Sequence, residues 1–161
     1  ILFFDIDGTL LSDKTGKIPD SALEALAEAK KNGHLLFINT GRTVCALPKE
    51  LYQFEFDGYL CGCGSYLLFH EEVLLESHIE EACGQKYIEQ MRECGLDGVL
   101  EGTEDLYFPK KVSRFEKLEQ GRHYFGQLGL GKKKHIEEGG FLYDKIFVYA
   151  DEQSEKERFF V

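Results

Sequence analysis

Three short apolar runs in the first part of the chain predict strands of one parallel sheet. Residues 1–4 and 35–38 are continuously apolar, and residues 58–61 form a third β-prone run. Continuous apolar runs are typical of strands that are buried on both faces. A stretch with helical periodicity separates the first two runs, which predicts a strand–helix–strand unit with a right-handed crossover. We therefore expect an α/β fold for this part of the chain.

Local signals predict where the helices of this part begin and end. Ser21 and Glu24 have the spacing of a capping box at the start of the first helix, and Asn32-Gly33 is a C-cap signal at its end. A second helix is predicted over residues 43–54, although Pro48 interrupts its pattern.

The pattern changes after Gly64. Residues 66–70 and 73–78 are two β-prone runs separated by glutamates, which predicts a hairpin. Beyond the hairpin, helices are predicted at 80–94 and 112–128 and a strand at 145–150. This mixture predicts an α+β second domain, so we divide the chain into domains at residues 1–64 and 65–161.

Composition narrows the class of protein and its partners. The chain has 161 residues, of which 43% are hydrophobic and 30% charged, as in soluble globular proteins. Its 19 basic and 29 acidic residues give a net charge of −10, which argues against nucleic acid as the main partner. No apolar run approaches the ~20 residues of a membrane span, and the start lacks the basic region of a signal peptide. We expect a cytoplasmic protein that does not bind membranes; its oligomeric state is left open.

The cysteines predict reduced thiols. They are Cys45, Cys61, Cys63, Cys83 and Cys94. An odd number without regular spacing, in a chain without a secretory signal, is a poor disulfide framework. Cys61 and Cys63, with His70 and His78, leave zinc as an alternative, but zinc sites usually need C-x₂₋₄-C and a second pair. We favour small side chains at the end of a strand.

Two carboxylates directly follow the first predicted strand. Asp5 and Asp7 are two residues apart, so in extended backbone their side chains project to the same side. Open α/β sheets bind their ligands at this end of a parallel strand, and Gly8 permits a sharp turn there. Carboxylates that face one another require a cation or one raised pKa, which favours Mg²⁺ with oxygen ligands. The alternative is a polar turn with local Asx-type hydrogen bonds.

A second polar segment, Asn39-Thr40-Gly41-Arg42, follows the second predicted strand. It combines a hydroxyl, a glycine amide that a ligand can approach closely and a guanidinium, which are the groups that bind phosphate. The alternative is a helix N-cap formed by Thr40 or Thr43, with Arg42 in solvent.

Together the two segments resemble motifs of the haloacid dehalogenase (HAD) superfamily of phosphatases. The first is Asp5-Ile6-Asp7-Gly8-Thr9-Leu10 and the second is Thr40-Gly41-Arg42. The Thr-Gly-Arg form and the α+β stretch after the third strand are similar to Cof-type sugar-phosphate phosphatases with a class IIB cap. The resemblance implies a Rossmann-like core with a parallel sheet, here its N-terminal part at 1–64, and an inserted α+β cap at 65–161, incomplete at its C-terminus.

The resemblance also implies a role for each matching residue. Asp5 corresponds to the nucleophile that forms an aspartyl-phosphate, and Asp7 to the general acid/base. Mg²⁺ would be held by the Asp5 side chain and the Asp7 main-chain carbonyl. Thr40, Gly41 and Arg42 form the predicted phosphate site. The implied activity is Mg²⁺-dependent hydrolysis of a small phosphorylated metabolite, with a sugar phosphate favoured.

Three features depart from the family pattern. The family's third-motif lysine and its acidic metal-binding loop have no match here and are expected beyond residue 161, since Lys145 is a poor match for that lysine. The core-to-cap junction reads Cys63-Gly64-Ser65 where Cof-type relatives commonly have Asn-Gly-Ala. The alternatives are a phosphomutase of the same superfamily and a catalytically incomplete fragment or pseudoenzyme with a binding role. We expect these 161 residues alone to be inactive.

A basic cluster, Lys132-Lys133-Lys134, contrasts with the acidic chain as a whole. It could attract a phosphorylated substrate, or it could be a solvated loop, and the sequence favours the loop.

Overall fold

A five-stranded mixed sheet organises the first part of the chain. The computed structural model describes residues 1–160. Its first sheet contains β1 (Leu2–Phe4), β2 (Leu36–Asn39), β3 (Gly58–Cys61), β4 (Tyr66–Phe69) and β5 (Glu72–Glu76), in that spatial order. Strands β1, β2 and β3 are parallel, and β4 and β5 continue the sheet in antiparallel register. The predicted strand–helix–strand unit is confirmed, with helix α1 (Asp20–Lys31) between β1 and β2.

Burial differs between the predicted strands. Leu36 and Ile38 of β2 are completely buried, as predicted. Among residues 1–160, the prediction that residues 1–4 are buried on both faces is not met, because Phe3 is 55% exposed and Leu2 is 38% exposed. The physical reason is position, since β1 is the edge strand in the described sheet and has only β2 beside it.

Helix α1 starts one residue before the predicted capping box. Pro19 is its N-cap, and the Pro19 carbonyl accepts hydrogen bonds from the amides of Ala22 and Leu23. No side chain caps the helix, so the prediction that Ser21 and Glu24 form a capping box is wrong. The fixed φ of proline preorganises the turn without a side-chain cap. The C-terminal signal is confirmed, with Asn32 as C-cap and Gly33 at a φ of +81°.

The predicted helix at 43–54 is wrong as a continuous element. The structure has two 3₁₀ turns instead, Val44–Ala46 and Lys49–Gln53. Leu47 between them is extended, with φ −65° and ψ 132°. The ring of Pro48 disfavours helical backbone at the residue before it, which separates the two turns.

The hairpin β4–β5 belongs to the first compact unit. The chain divides into Ile1–Ser77 and a second unit that starts at His78. The sequence-based division at residue 64 lies before the hairpin, whereas β4 pairs along the whole of β3, from Gly58–Phe69 to Cys61–Tyr66. Long-range strand pairing of this kind is not visible in the local sequence pattern.

The second unit has an α+β architecture, as predicted. Its elements are α2 (Glu81–Glu93), β6 (Asp97–Glu101), β7 (Leu106–Tyr107), α3 (Glu116–Gln127), β8 (Lys145–Tyr149) and α4 (Lys156–Phe159). The strands form an antiparallel sheet in the order β7-β6-β8. Its core includes Ile88, Leu100, Tyr107, Ile136 and Tyr143. Across residues 1–160, none of the helices is long and apolar enough to cross a membrane.

Buried polar and apolar groups hold α1 and the parallel strands together. The buried carboxylate of Asp57 accepts a hydrogen bond of 2.8 Å from the Leu36 amide, and its other oxygen lies 3.6 Å from the Lys30 Nζ of α1. The core beside these groups consists of Ile6, Leu10, Leu11, Ile18, Leu26, Leu36, Ile38, Leu51 and Phe56. These contacts fix the strands whose ends carry the candidate site.

We expect Gly58→Ala to destabilise the full-length protein by about 1–3 kcal/mol, because overpacking a close contact forces backbone and side chains apart. A Cβ at Gly58 would overlap the Phe37 ring and lie 2.7 Å from the Leu68 carbonyl oxygen. Gly121→Ala is the control, because a Cβ there meets nothing within 4 Å and alanine favours helix by about 0.5–1 kcal/mol. Urea unfolding measures both, and equal stabilities of the two variants would contradict the expectation.

Candidate active site

Three loops meet at one edge of the first sheet. Because β1, β2 and β3 are parallel, their carboxyl ends lie at the same edge. Main-chain hydrogen bonds join the loops that follow β2 and β3. The Gly62 amide donates to the Arg42 carbonyl at 2.7 Å, and the Cys63 amide donates to the Thr40 carbonyl at 3.4 Å. The backbone thus holds the second predicted motif in place.

The loop after β1 presents the two predicted catalytic aspartates. Ile6 between them is completely buried, whereas Asp5 and Asp7 are exposed. A tight turn follows, in which the Leu11 amide donates to the Ile6 carbonyl at 2.9 Å. Gly8 has a φ of +75°, a conformation that glycine adopts without strain. The buried side chain of Ile6 therefore anchors a turn that leaves both carboxylates accessible.

Arg42 links the two predicted motifs directly. Its Nε donates to Asp7 Oδ2 at 2.8 Å and its Nη2 donates to Asp7 Oδ1 at 2.7 Å. This is a bidentate pair, the geometry in which a guanidinium binds a carboxylate most strongly. The alternative of Arg42 in solvent does not fit, since its side chain is only 26% exposed. The sequence placed Asp7 and Arg42 after neighbouring strands of one predicted sheet, but no sequence signal indicated that the two side chains form an ion pair.

The ion pair changes the protonation behaviour of Asp7. The hydrogen bonds and positive charge of Arg42 lower the pKa of Asp7 below its ordinary value of 3.8, against the opposing effect of partial burial. Asp7 is therefore a carboxylate at neutral pH, and each of its two oxygens accepts a hydrogen bond from the guanidinium.

Thr40 and Gly41 occupy the loop after β2. Thr40 is buried, and its hydroxyl oxygen accepts a hydrogen bond of 3.2 Å from the Arg42 amide. Gly41 is exposed, and a Cβ there would lie 3.4 Å from Cys63 Sγ. Thr43 precedes a 3₁₀ turn but its side chain does not cap it. Thr43 therefore does not act as an N-cap, because its side chain makes no capping hydrogen bond to the turn.

The turn after β3 places a cysteine beside this loop. Cys63 has a φ of +58°, an uncommon conformation for a residue with a side chain. Its exposed Sγ lies 3.9 Å from the Gly41 carbonyl oxygen. Cys61 is buried, and burial raises the pKa of its thiol to about 12, so it is not a thiolate at neutral pH. Residues 1–160 contain no group of three or more His, Cys, Asp or Glu side chains placed to hold a metal.

The donors at the end of β1 fit a hard cation. Asp5 offers an exposed carboxylate. The carboxylate of Asp7 is hydrogen-bonded to Arg42, which leaves the Asp7 main-chain carbonyl as the second donor that the family resemblance implies. Two oxygen donors are enough for a Mg²⁺ ion that completes its octahedron with water and substrate phosphate. The residues present therefore fit Mg²⁺.

Two of the lysines considered in the sequence analysis, Lys145 and Lys134, have partners within the second unit. Lys145 forms an ion pair with Glu101, with Nζ 3.1 Å from Oε2. Lys132 lies in an open groove with Arg122, His123 and His135, and Lys134 Nζ donates to the Gly140 carbonyl at 2.7 Å. All three lysines of the cluster are exposed, as in a solvated loop.

We expect Arg42→Gln to raise the pKa of Asp7 toward 3.8, because the substitution removes the guanidinium that lowers it. In the wild type, the pair stabilises the fold above the unfolded-state pKa, and this contribution is lost as pH falls through the lowered pKa. Carboxyl ¹³C NMR across an acid titration measures the shift, with Arg92→Gln as the control. An Asp7 pKa that is unchanged by Arg42→Gln would contradict the assignment.

Comparisons with known proteins find a matching family and relatives that are named as phosphatases. The haloacid dehalogenase-like hydrolase family matches residues 2–159. Pyridoxal phosphate phosphatase YbhA of Escherichia coli (strain K12) is 37% identical over 103 residues, which are 62% of this chain and 38% of the relative. YkrA of Bacillus subtilis (strain 168), also named as a phosphatase, is 28% identical over 93 residues, which are 58% of this chain and 36% of the relative.

A solved structure extends the similarity to both units. The HAD subclass IIB sugar phosphatase BT4131 superposes with a TM-score of 0.74 and 26% sequence identity, over 97% of this chain and 60% of that chain. The chain thus spans less than two thirds of the length of these relatives, and the family match covers nearly all of its residues. The chain belongs to the haloacid dehalogenase-like hydrolase family.

Proposed function

We propose that the full-length protein hydrolyses phosphate monoesters of small metabolites through an aspartyl-phosphate on Asp5. One observation carries the proposal: an exposed Asp5 carboxylate and an Arg42-bound Asp7 carboxylate follow the same strand, next to the Thr40-Gly41 loop. Phosphoryl transfer depends mainly on positioning and on neutralising charge, and this edge of the sheet offers groups for both.

The first step is transfer of the phosphoryl group to Asp5. A carboxylate oxygen of Asp5 forms a bond to phosphorus while the bond between phosphorus and the ester oxygen breaks. Asp7 is protonated by solvent before the first turnover and by the attacking water in later ones, and it gives this proton to the leaving ester oxygen, so the product departs as an alcohol. In the second step Asp7 accepts a proton from water, whose oxygen attacks phosphorus and frees Asp5 with release of inorganic phosphate.

Thr40 and Gly41 are assigned to the transferring phosphoryl group. The Thr40 oxygen already accepts a hydrogen bond from the Arg42 amide, which orients the hydroxyl so that its proton can be donated elsewhere. Gly41 is exposed and has no side chain between its amide and a ligand. The guanidinium of Arg42, the third predicted phosphate ligand, already binds Asp7 and is left out of this assignment.

We assign Mg²⁺ to the Asp5 carboxylate and the Asp7 main-chain carbonyl, with substrate phosphate and water as further ligands. When bound, the ion would neutralise negative charge on the nucleophile and on the phosphoryl oxygens. The positive charge of the ion matters because a nucleophilic carboxylate has to approach an anionic substrate.

The substrate class is inferred from the named relatives and the second unit. One relative is named for pyridoxal phosphate and the superposed structure for sugar phosphates, and both substrates are small phosphate monoesters. We propose that the second unit is the cap that selects among such substrates. A screen of phosphorylated metabolites that includes sugar phosphates and pyridoxal 5′-phosphate would identify the preferred one.

A phosphomutase of the same superfamily is the second candidate, since it would use the same pair of aspartates. A mutase returns the phosphoryl group to the substrate, whereas a phosphatase gives it to water. Release of stoichiometric inorganic phosphate therefore supports hydrolysis, and an isomeric phosphate ester as product supports the mutase.

We expect the full-length protein with Mg²⁺ to hydrolyse p-nitrophenyl phosphate, and Asp5→Asn to abolish turnover, because an amide cannot serve as the nucleophile. Asp20→Asn is the matched control, since Asp20 is an exposed carboxylate at the start of α1 with no assigned role. Release of p-nitrophenolate measures the rate. Turnover that persists in Asp5→Asn would remove Asp5 as nucleophile, and a wild-type protein without activity would favour the binding role.

A further inference from the structure

We propose that Arg42 is a positioning residue that aims the Asp7 carboxylate, and that it is not a direct ligand of the substrate phosphate. The inference rests on the proposed function, in which Asp7 exchanges protons with the leaving group and with water. It differs from the sequence-based assignment, which grouped Arg42 with Thr40 and Gly41 as phosphate ligands.

The first argument is the edge of the guanidinium that Arg42 uses. A guanidinium binds a carboxylate or a phosphate bidentately through two parallel N–H groups. In Arg42 the Nε and Nη2 edge is given to Asp7, at 2.8 and 2.7 Å to its two oxygens. A phosphate bound by the same edge would have to displace the Asp7 carboxylate. The observed pair therefore favours a role in which Arg42 affects the reaction by holding Asp7, and not by binding the substrate phosphate.

The second argument is that Arg42 is itself anchored. Its Nη1 donates to the Ala46 carbonyl at 3.2 Å, its amide donates to the Thr40 hydroxyl, and its carbonyl accepts from the Gly62 amide at 2.7 Å. Both its main chain and its side chain are thus tied to the loops that follow β2 and β3. An arginine that is anchored through both its main chain and its side chain is suited to orient a partner.

The third argument is that Asp7 has little else to orient it. Its side chain is 56% exposed, and among residues 1–160 only Arg42 donates side-chain hydrogen bonds to its carboxylate. An exposed carboxylate without a partner would sample several rotamers. A general acid/base has to sit within hydrogen-bond reach of the proton that it moves, and a misplacement of about 1 Å can cost on the order of 10²-fold in rate.

The two roles predict different kinetic effects of Arg42→Lys. Lysine keeps the positive charge but cannot form the planar bidentate pair. If Arg42 positions Asp7, the variant lowers kcat and leaves substrate binding almost unchanged. If Arg42 binds the phosphate, the variant raises KM and weakens inhibition by inorganic phosphate.

The experiment measures the full-length protein with Mg²⁺ on p-nitrophenyl phosphate and on the best alkyl phosphate from the metabolite screen. We expect Arg42→Lys and Arg42→Gln to lower kcat for the alkyl phosphate by about 10- to 100-fold, and to affect p-nitrophenyl phosphate less, because its leaving group needs little protonation. KM and the inhibition constant of inorganic phosphate should change by no more than about 2-fold. Arg92→Lys is the control, since Arg92 forms an exposed ion pair with Glu137.

A double-mutant cycle tests whether Arg42 acts through Asp7. In the Asp7→Asn background, adding Arg42→Lys should cause no further loss of kcat, because coupled residues are non-additive. Two variants at Arg42 are used. If thermal unfolding shows that one of them has a folding defect, the kinetics of the other variant still test the positioning role.

The outcomes separate this inference from the proposed function. A raised KM and phosphate inhibition constant at unchanged kcat, or full additivity with Asp7→Asn, would overturn the positioning role while hydrolysis through Asp5 stands. A wild-type protein without phosphatase activity, or an active Asp5→Asn variant, would overturn the proposed function and the inference with it.

Discussion

The parallel pairing of β1, β2 and β3 is the constraint on which the candidate site depends. Leu2–Phe4 pair with Leu36–Ile38, and Phe37–Asn39 pair with Gly58–Leu60, so three consecutive residues pair between each two neighbouring strands. The carboxyl ends of parallel strands lie at the same edge of a sheet, and the loops after β1 and β2 carry polar residues there. Residues that are distant in the sequence, such as Asp7 and Arg42, come within hydrogen-bond distance for this reason.

Buried residues beneath the candidate site stabilise the alignment of the parallel strands. Asp57 is a buried carboxylate, and its hydrogen bond to the Leu36 amide and its ion pair with Lys30 meet the cost of removing it from water. Gly58, the next residue, lets β3 approach Phe37 more closely than any side chain would permit. One polar and one steric requirement, adjacent in the chain, thus set the spacing of β2 and β3.

The contact between Arg42 and Asp7 connects this architecture to chemistry. Without it, the end of β1 would carry two exposed carboxylates, neither of them hydrogen-bonded to a cationic side chain among residues 1–160. With it, both oxygens of Asp7 are hydrogen-bonded to Arg42, and Asp5 remains an exposed carboxylate. The two aspartates differ in their surroundings more than in their chemistry, which is the usual basis for giving similar groups different roles.

Local signals in the sequence predicted the local structure correctly where a residue's own backbone preference determines that structure. The C-cap signal Asn32-Gly33 ended α1 as predicted. Pro48 interrupted the helical pattern, and in the structure it separates two 3₁₀ turns. The predicted capping box failed because the N-cap of the same helix is Pro19, two residues before Ser21.

The sequence by itself determined the family motifs, the strand–helix–strand unit and the residue types gathered at the end of the sheet. Only the tertiary structure decided that β4 extends the first sheet, that β1 is the exposed edge among the described strands, and that Arg42 binds Asp7. The physical reason is that hydrophobic periodicity and turn preferences act over a few residues. Strand neighbours and ion-pair partners depend instead on distances between chain segments that only the folded chain brings together.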